Sequence, residues 1–285
     1  MNALVDFYAK HSRLVDQIGV NAIMALSLSV SLRAGQLALA QAAFMGIAAY
    51  LSAILSLNAH WPLLASIALA MLVSALVAAL LAYPVRRLRG VFLAIATIGF
   101  GEIVRVFANN FSITGGAEGL SGIPNDATTP VIYVGLALVA VALFALSRTK
   151  FALAVSLVRE DEHAARSVGV DVGAIRTLSL ALGGAIAGLG GALYAHSNFF
   201  LTPADFGFGR MEQILVACVI GGVTNAAGAV LGAGLITLLP EITRAVQAAT
   251  GANVDFFREL VTGVVLLGVI LFAPAGISGL WRKRA

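Results

Sequence analysis

Charge is scarce in this sequence: 11% of its 285 residues are Asp, Glu, Lys or Arg, against about 25% in an ordinary soluble domain. That scarcity excludes a water-soluble globular protein. Cysteine is nearly absent. Cys218 stands alone in an apolar run, which excludes an intrachain disulfide and suits a small buried residue. The four histidines, His11, His60, His163 and His196, are scattered, with no H-E-x-x-H pair and no Cys ligand set, so no metal site is expected. Neither G-x-S-x-G nor G-x-x-x-x-G-K-[ST] occurs, so no catalytic residue is expected and the chain carries no phosphate loop of its own. No short apolar region with a small-residue cleavage site opens the chain, so no cleaved signal peptide is expected. Solenoid-type repeats are missing too.

What fills the chain instead is apolar: 60% of the residues are hydrophobic. They fall in runs long enough to cross a hydrocarbon core of about 30 Å at about 1.5 Å per residue. The runs are solidly Leu/Ala/Val-rich rather than alternating, which favours helices over a closed barrel. The candidate spans are 18–32, 36–57, 62–83, 91–108, 130–147, 176–196, 211–224, 226–247 and 257–275. The expected fold is all-α, a polytopic membrane protein of eight or nine crossings. The first two spans are separated by Arg33 and Gly35 and can also be read as one broken helix; 211–224 is short enough to be re-entrant. The polar insertions are too short to bury a core of their own, so residues 1–285 read as one transmembrane domain.

The net charge is +4 and the isoelectric point near 9.6. Nucleic-acid binding is excluded as the reason, because the positive charges sit in short loops between apolar runs, as membrane orientation requires. Arg86, Arg87 and Arg89 fill one loop; Arg148, Lys150, Arg159, Arg166 and Arg176 fill 148–176; Arg282, Lys283 and Arg284 end the chain. All three are expected on the cytoplasmic side, with the C-terminus cytoplasmic and the loop 109–129 outside.

Within 148–176, Val158–Val168 reads as a short amphipathic helix stopped by Gly169. Acids lie near its start and Arg166 near its end, as the helix dipole favours, and Glu162–Arg166 is spaced i,i+4. A solvated loop helix and a docking helix fit this spacing equally. In Gly90–Asn110, Glu102 and Arg105 are spaced i,i+3 inside an apolar run. An intramembrane charge costs roughly 2.5–3.5 kcal/mol, so the two read as an ion pair, structural rather than pathway-lining. In the loop Ser112–Pro124, Gly115, Gly116, Gly119 and Gly122 permit tight turns: a compact external turn or an outer gate. Gly184 with Gly188, and Gly228 with Gly232, are spaced for close helix packing. Gly221–Gly228 reads as a hairpin turn.

Several blocks together resemble a known family. They are AGQLALAQAAFMGIAAY (34–50), LRGVFLAIATIGFGEIVRVFANNFSITGGAEGLSGIP (88–124), LVREDEHAARSVGVD (157–171), the Gly-rich LALGGAIAGLGGALYA that follows, GGVTNAAGAVLGA (221–233) and FAPAGISGLW (272–281). In order and spacing the chain resembles the LivM-type permease subunits of bacterial branched-chain amino-acid ABC importers. The resemblance implies a helical permease in the bacterial cytoplasmic (inner) membrane, in contact with lipid. It implies a second, LivH-like permease, two cytoplasmic ATPase subunits that carry the ATP and Mg, and a periplasmic substrate-binding protein. It also implies that Arg159, Glu160, Asp161, Glu162, Ala164, Ala165, Arg166 and Gly169 form the coupling segment to an ATPase. One departure lies in the hairpin, where the family's Gly-Ser/Thr is replaced by Thr224 and Asn225. The alternatives are an ABC permease for urea, short amides or aromatic acids, and an ion-gradient-driven carrier, for which Glu102, Glu212 and Glu241 are the candidate ionisable groups; a membrane-embedded enzyme is more distant.

Overall fold

The computed structural model describes residues 2–222 and 226–250, together with Gly263 and Gly268. The expected span 257–275 (those two glycines apart), the hairpin positions Thr224 and Asn225, and the terminal Arg282–Arg284 lie outside the described residues.

Apart from one two-residue strand pair, the regular structure of the described residues is helical. The helices are α1 (Asn2–Arg33), α2 (Gln41–Ala59), α3 (Leu63–Val85), α4 (Val91–Asn110), α5 (Thr129–Leu146), α6 (Lys150–Glu160), α7 (Glu162–Ser167), α8 (Val172–Asn198), α9 (Phe208–Gly221) and α10 (Ala226–Thr250). Six of them are long and apolar enough to cross a membrane: α2, α3, α4, α5, α8 and the Ser12–Arg33 part of α1. The first two expected spans are therefore separate helices. Gly35, at φ +70°, ends the first, and residues 36–40 are not helical. That short stretch is buried, and Thr97 Oγ1 accepts a 2.8 Å hydrogen bond from the Leu39 amide. Non-helical backbone at membrane depth survives only where protein satisfies it in this way.

The bundle is built around α8, and its glycines explain why. Between them they face three neighbouring helices. A β-carbon at Gly184 would stand 2.5 Å from Ala78 Cβ, and one at Gly188 would stand 2.9 Å from Met71 Cα, both on α3. At Gly191 it would overlap the Met45 carbonyl of α2, and at Gly183 it would stand 3.1 Å from the Ser27 carbonyl of α1. Because lipid tails are as apolar as Leu, close van der Waals contact and interhelical hydrogen bonds hold such helices together. The bonds are present: Ser27 Oγ donates to the Gly183 carbonyl at 2.7 Å and Ser74 Oγ to the Gly184 carbonyl at 2.8 Å. Gly232 packs its backbone on Ala217 and Gly221, so α9 and α10 form a close pair, and Asn21 Nδ2 donates to Thr237 Oγ1 at 2.8 Å to join α10 to α1.

The outward sides of α3, α4 and α5 are different. Leu80, Phe92 and Leu138 are 72%, 75% and 65% exposed, which only lipid or a partner helix can accommodate.

Candidate functional site

The two ends of the bundle carry the polar structure, and they are unlike each other. At the basic end, the expected single helix Val158–Val168 is two helices. Asp161 adopts extended backbone (φ −149°, ψ 111°) and breaks the run. Its carboxylate accepts from the backbone amides of His163 at 2.8 Å and Ala164 at 3.1 Å. An Asp that can cap the next turn competes with continuation of the previous one. Gly169 does terminate α7, at φ +83°. Val158, Ala165 and Val172 pack under the segment as a small separate core, so α6, α7 and the start of α8 hold one another in place.

The amide hydrogen bonds from Ala164 and His163 hold the Asp161 carboxyl below the usual carboxylate range. A depressed folded-state pKa means the cap stabilises α7 above the unfolded pKa of about 3.9 and is lost as pH falls through the lower folded value. Hydrogen exchange at the Ala164 amide should therefore stay slow down to the ordinary Asp range and accelerate only below it. In Asp161→Ala it should be fast at every pH.

Glu162 is the centre of this end. Its side chain is 11% exposed and meets three guanidinium groups: Arg166 at 2.6 Å, Arg89 at 2.9 Å and Arg176 at 3.3 Å. The expected i,i+4 pair is one of three. Arg89 comes from the loop between α3 and α4, and Arg176 from the first turns of α8. One carboxylate therefore ties two basic loops to the same end of the bundle. Glu162 does not present itself outward. The exposed positions of α7 and its exit are His163, Arg166, Ser167 and Val168, the last 68% exposed. Ala165 is fully buried and Ala164 half-buried, while Arg159, Glu160 and Gly169 are exposed.

At the opposite end, Gly115, Gly116, Gly119 and Gly122 all have positive φ, between 57° and 82°, as the expected compact turn requires. The turn does not float. Leu120–Ser121 (β1) pairs antiparallel with Phe200–Leu201 (β2), in the register Leu120 to Leu201. A β-carbon at Gly119 would overlap the Leu201 carbonyl. Gly119→Ala should separate the pair, and limited proteolysis should then cut the 112–124 loop faster.

His196, fully buried near the end of α8, braces the same region. Its Nε2 lies 3.0 Å from Ser52 Oγ and 3.3 Å from Ser56 Oγ, and its Nδ1 lies 3.1 Å from the Pro124 carbonyl. Phe206 fills the space beside Gly46, with Tyr50 and Tyr194 ring centroids at 5.7 and 5.9 Å. Glu102 and Arg105 form the expected pair, Nε to Oε2 at 2.7 Å, both 39% exposed. Arg105 also packs toward Gly207. A carboxylate held this way is a poor lone ion site.

The arrangement is thus a bundle of apolar helices with an ordered helical segment at its basic end, and comparison with known proteins agrees with a membrane protein. Residues 12–274 match the family described as branched-chain amino acid transport system / permease component. The chain belongs to that family. It is 31% identical to the high-affinity branched-chain amino acid transport system permease protein LivM of Salmonella typhimurium (strain LT2), over 94% of this chain and 68% of the relative. Identity to LivM of Escherichia coli (strain K12) is 30% over the same shares. The probable permease protein LivH of Methanocaldococcus jannaschii is 31% identical over 65% of this chain and 57% of its own length. No solved structure matches. As a member of this permease family the chain is a multi-pass membrane protein and a transport subunit rather than an enzyme.

Two features of this permease were not read from the sequence. Arg89 and Arg176 were assigned to one side by their charge, yet nothing in their spacing pointed to Glu162. His196 looked like one of four scattered histidines. Its neighbours at i−144 and i−72 are far beyond any local pattern.

Proposed function

We propose that this chain is one of the two permease subunits of an ATP-driven importer that carries branched-chain or related hydrophobic amino acids across the bacterial inner membrane. The basic end faces the cytoplasm, with the C-terminus on that side. The glycine-rich turn faces out, toward a periplasmic binding protein. The second permease is LivH-like, and two cytoplasmic ATPases bind ATP and Mg. Residues 1–285 form one permease domain, and α9, α10 and the apolar stretch 257–275 bring the crossings to eight or nine.

The observation that carries this reading is α7. It is a capped helix, on a core of its own, with Val168 exposed where only water or a partner can meet it. Arg159, Glu160, Asp161, Glu162, Ala164, Ala165, Arg166 and Gly169 constitute the docking segment, but in two roles. Asp161, Glu162 and Ala165 hold its shape, and the exposed positions meet the ATPase. ATP binding draws the ATPases together and moves α7. The move passes through the Glu162 cluster into α4 and α8, and the bundle opens outward to take substrate; hydrolysis resets it. The Glu102–Arg105 pair keeps α4 intact at its outer end, and the turn at Gly115, Gly116, Gly119 and Gly122 closes the outer mouth.

The test is reconstitution with the ATPases. Val168→Asp, which places a charge at the exposed apolar position, should leave membrane insertion unchanged while ATPase binding and leucine uptake fall together. Uptake and ATPase retention equal to the parent would reject α7 as the docking segment.

A further inference from the structure

A cavity of about 500 Å³ lies where the cytoplasmic ends of α1, α5 and α8 meet α6. Val30, Leu143 and Val155 are among its apolar lining, and Arg33, Arg159 and Ser179 among its polar lining. Three observations suggest that it holds something. Ser179 is fully buried, yet its hydroxyl has no hydrogen-bond partner within the protein; buried hydroxyls are seldom left so. Two guanidinium groups from different helices line the one space, which favours an anion. Finally, α6 is amphipathic in the manner of an interfacial helix: Lys150 and Arg159 stand at its ends, while Leu153, beside the lining residue Ala152, is 72% exposed.

The geometry points to a binding site for the headgroup phosphate of an inner-leaflet phospholipid. Basic recesses between membrane helices on the cytoplasmic side suit such groups. Arg33 and Arg159 receive the phosphate, and Ser179 donates the hydroxyl proton that has no acceptor in the protein. The acyl chains run along Val30, Leu143 and Val155. Glu160, also in the lining, sets a limit on the headgroup: its carboxylate faces an ethanolamine ammonium more readily than a second anion. A lipid seated here bridges α1 to α6, the helix that leads directly into the docking segment. The site requires the membrane and the orientation proposed above, and is independent of which solute is carried.

Native mass spectrometry tests this on the chain in whatever assembly mild detergent extracts from its membrane. The parent should retain a phospholipid through detergent exchange. Arg159→Gln, which removes charge from an exposed side chain, should lower its occupancy about fivefold, the worth of one basic residue at a leaflet surface. Ser179→Leu, which fills the cavity, should lower it further. Equal adducts in parent and variants would mean lipid around the bundle only, and would overturn the site. Displacement of the adduct by millimolar inorganic phosphate would overturn it differently, leaving a site for a soluble anion. If Ser179→Leu does not assemble, Arg159→Gln decides alone. Loss of the ATPases from Arg159→Gln with the adduct intact would leave Arg159 to the docking segment alone and overturn its part in this site.

Discussion

Glu162→Gln is expected to reduce ATP-driven uptake about thirtyfold while the chain still inserts and still binds its ATPases. Glutamine keeps the shape and loses the charge. Three guanidinium groups would then converge on a neutral amide, each repelling the others. The three arms are not equal. Arg89 and Arg166 are 61% and 57% exposed, and such pairs are worth about 0–1 kcal/mol each because water screens them. Arg176 is 14% exposed and sits opposite a carboxylate that is 11% exposed. That arm, although the longest, is the sheltered one and contributes most. The loss is about 2 kcal/mol in all, from the worth of a hydrogen bond to a charged group, which corresponds to roughly thirtyfold at 1.4 kcal/mol per decade.

The loss should appear in coupling rather than in docking. Glu162 faces inward, and the exposed side chains of α7 that are proposed to meet the ATPase are untouched. ATP hydrolysis should persist and run ahead of transport. The measurement is leucine uptake and phosphate release from the same vesicles. A Glu162→Gln protein whose ratio of solute moved to ATP spent equals the parent's would show that the cluster is a surface ornament. Arg176→Gln should give most of the same effect, and Arg89→Gln little of it.

The sequence conveyed these relations unevenly, for physical reasons. Hydropathy located α3, α4 and α5 to within two residues at each end, because the bilayer demands length and apolarity of every span regardless of neighbours. It failed at residues 36–40, which are as apolar as the helix that follows. What keeps them out of the helix is the positive φ of Gly35 and the hydroxyl of Thr97, 58 residues away. The proposed docking segment shows the same division. The i,i+4 pair and the terminating glycine were visible, since both are local. Asp161 was read as one of several acids near a helix start, when it ends one helix and caps the next. The Glu162 cluster was half visible: charge counting put Arg89 and Arg176 at one end of the bundle, where they meet, but which carboxylate gathers them depends on how α3 and α8 pack. The close packing of those two helices was legible in turn as Gly184 and Gly188.

Gly191→Ala is expected to be strongly destabilising, and Gly99→Ala harmless. Both glycines lie in membrane-spanning helices, so propensity alone favours alanine at each by about 1 kcal/mol. Packing decides otherwise at one of them. A β-carbon at Gly191 would overlap the Met45 carbonyl oxygen and crowd that residue's Cα at 3.0 Å. Backbone cannot rotate away as a side chain can, so α2 and α8 must separate. Separation would strain the Ser74 hydroxyl, which donates both to the Phe44 carbonyl of α2, at 3.2 Å, and to the Gly184 carbonyl of α8. Overpacking of a tight interior costs about 1–3 kcal/mol, and here nothing flexible lies in the way to reduce it. At Gly190 the nearest atom is the Met24 sulfur, at 2.8 Å, on a side chain able to move, so Gly190→Ala should fall between the other two. At Gly99 nothing lies within 4 Å. Thermal stability in detergent, followed by size-exclusion chromatography, should rank the variants Gly99→Ala, Gly190→Ala, Gly191→Ala from most to least stable. A Gly191→Ala protein that melts with the parent would mean that α8 does not meet α2 at this register. The bundle described above would then need a different central helix.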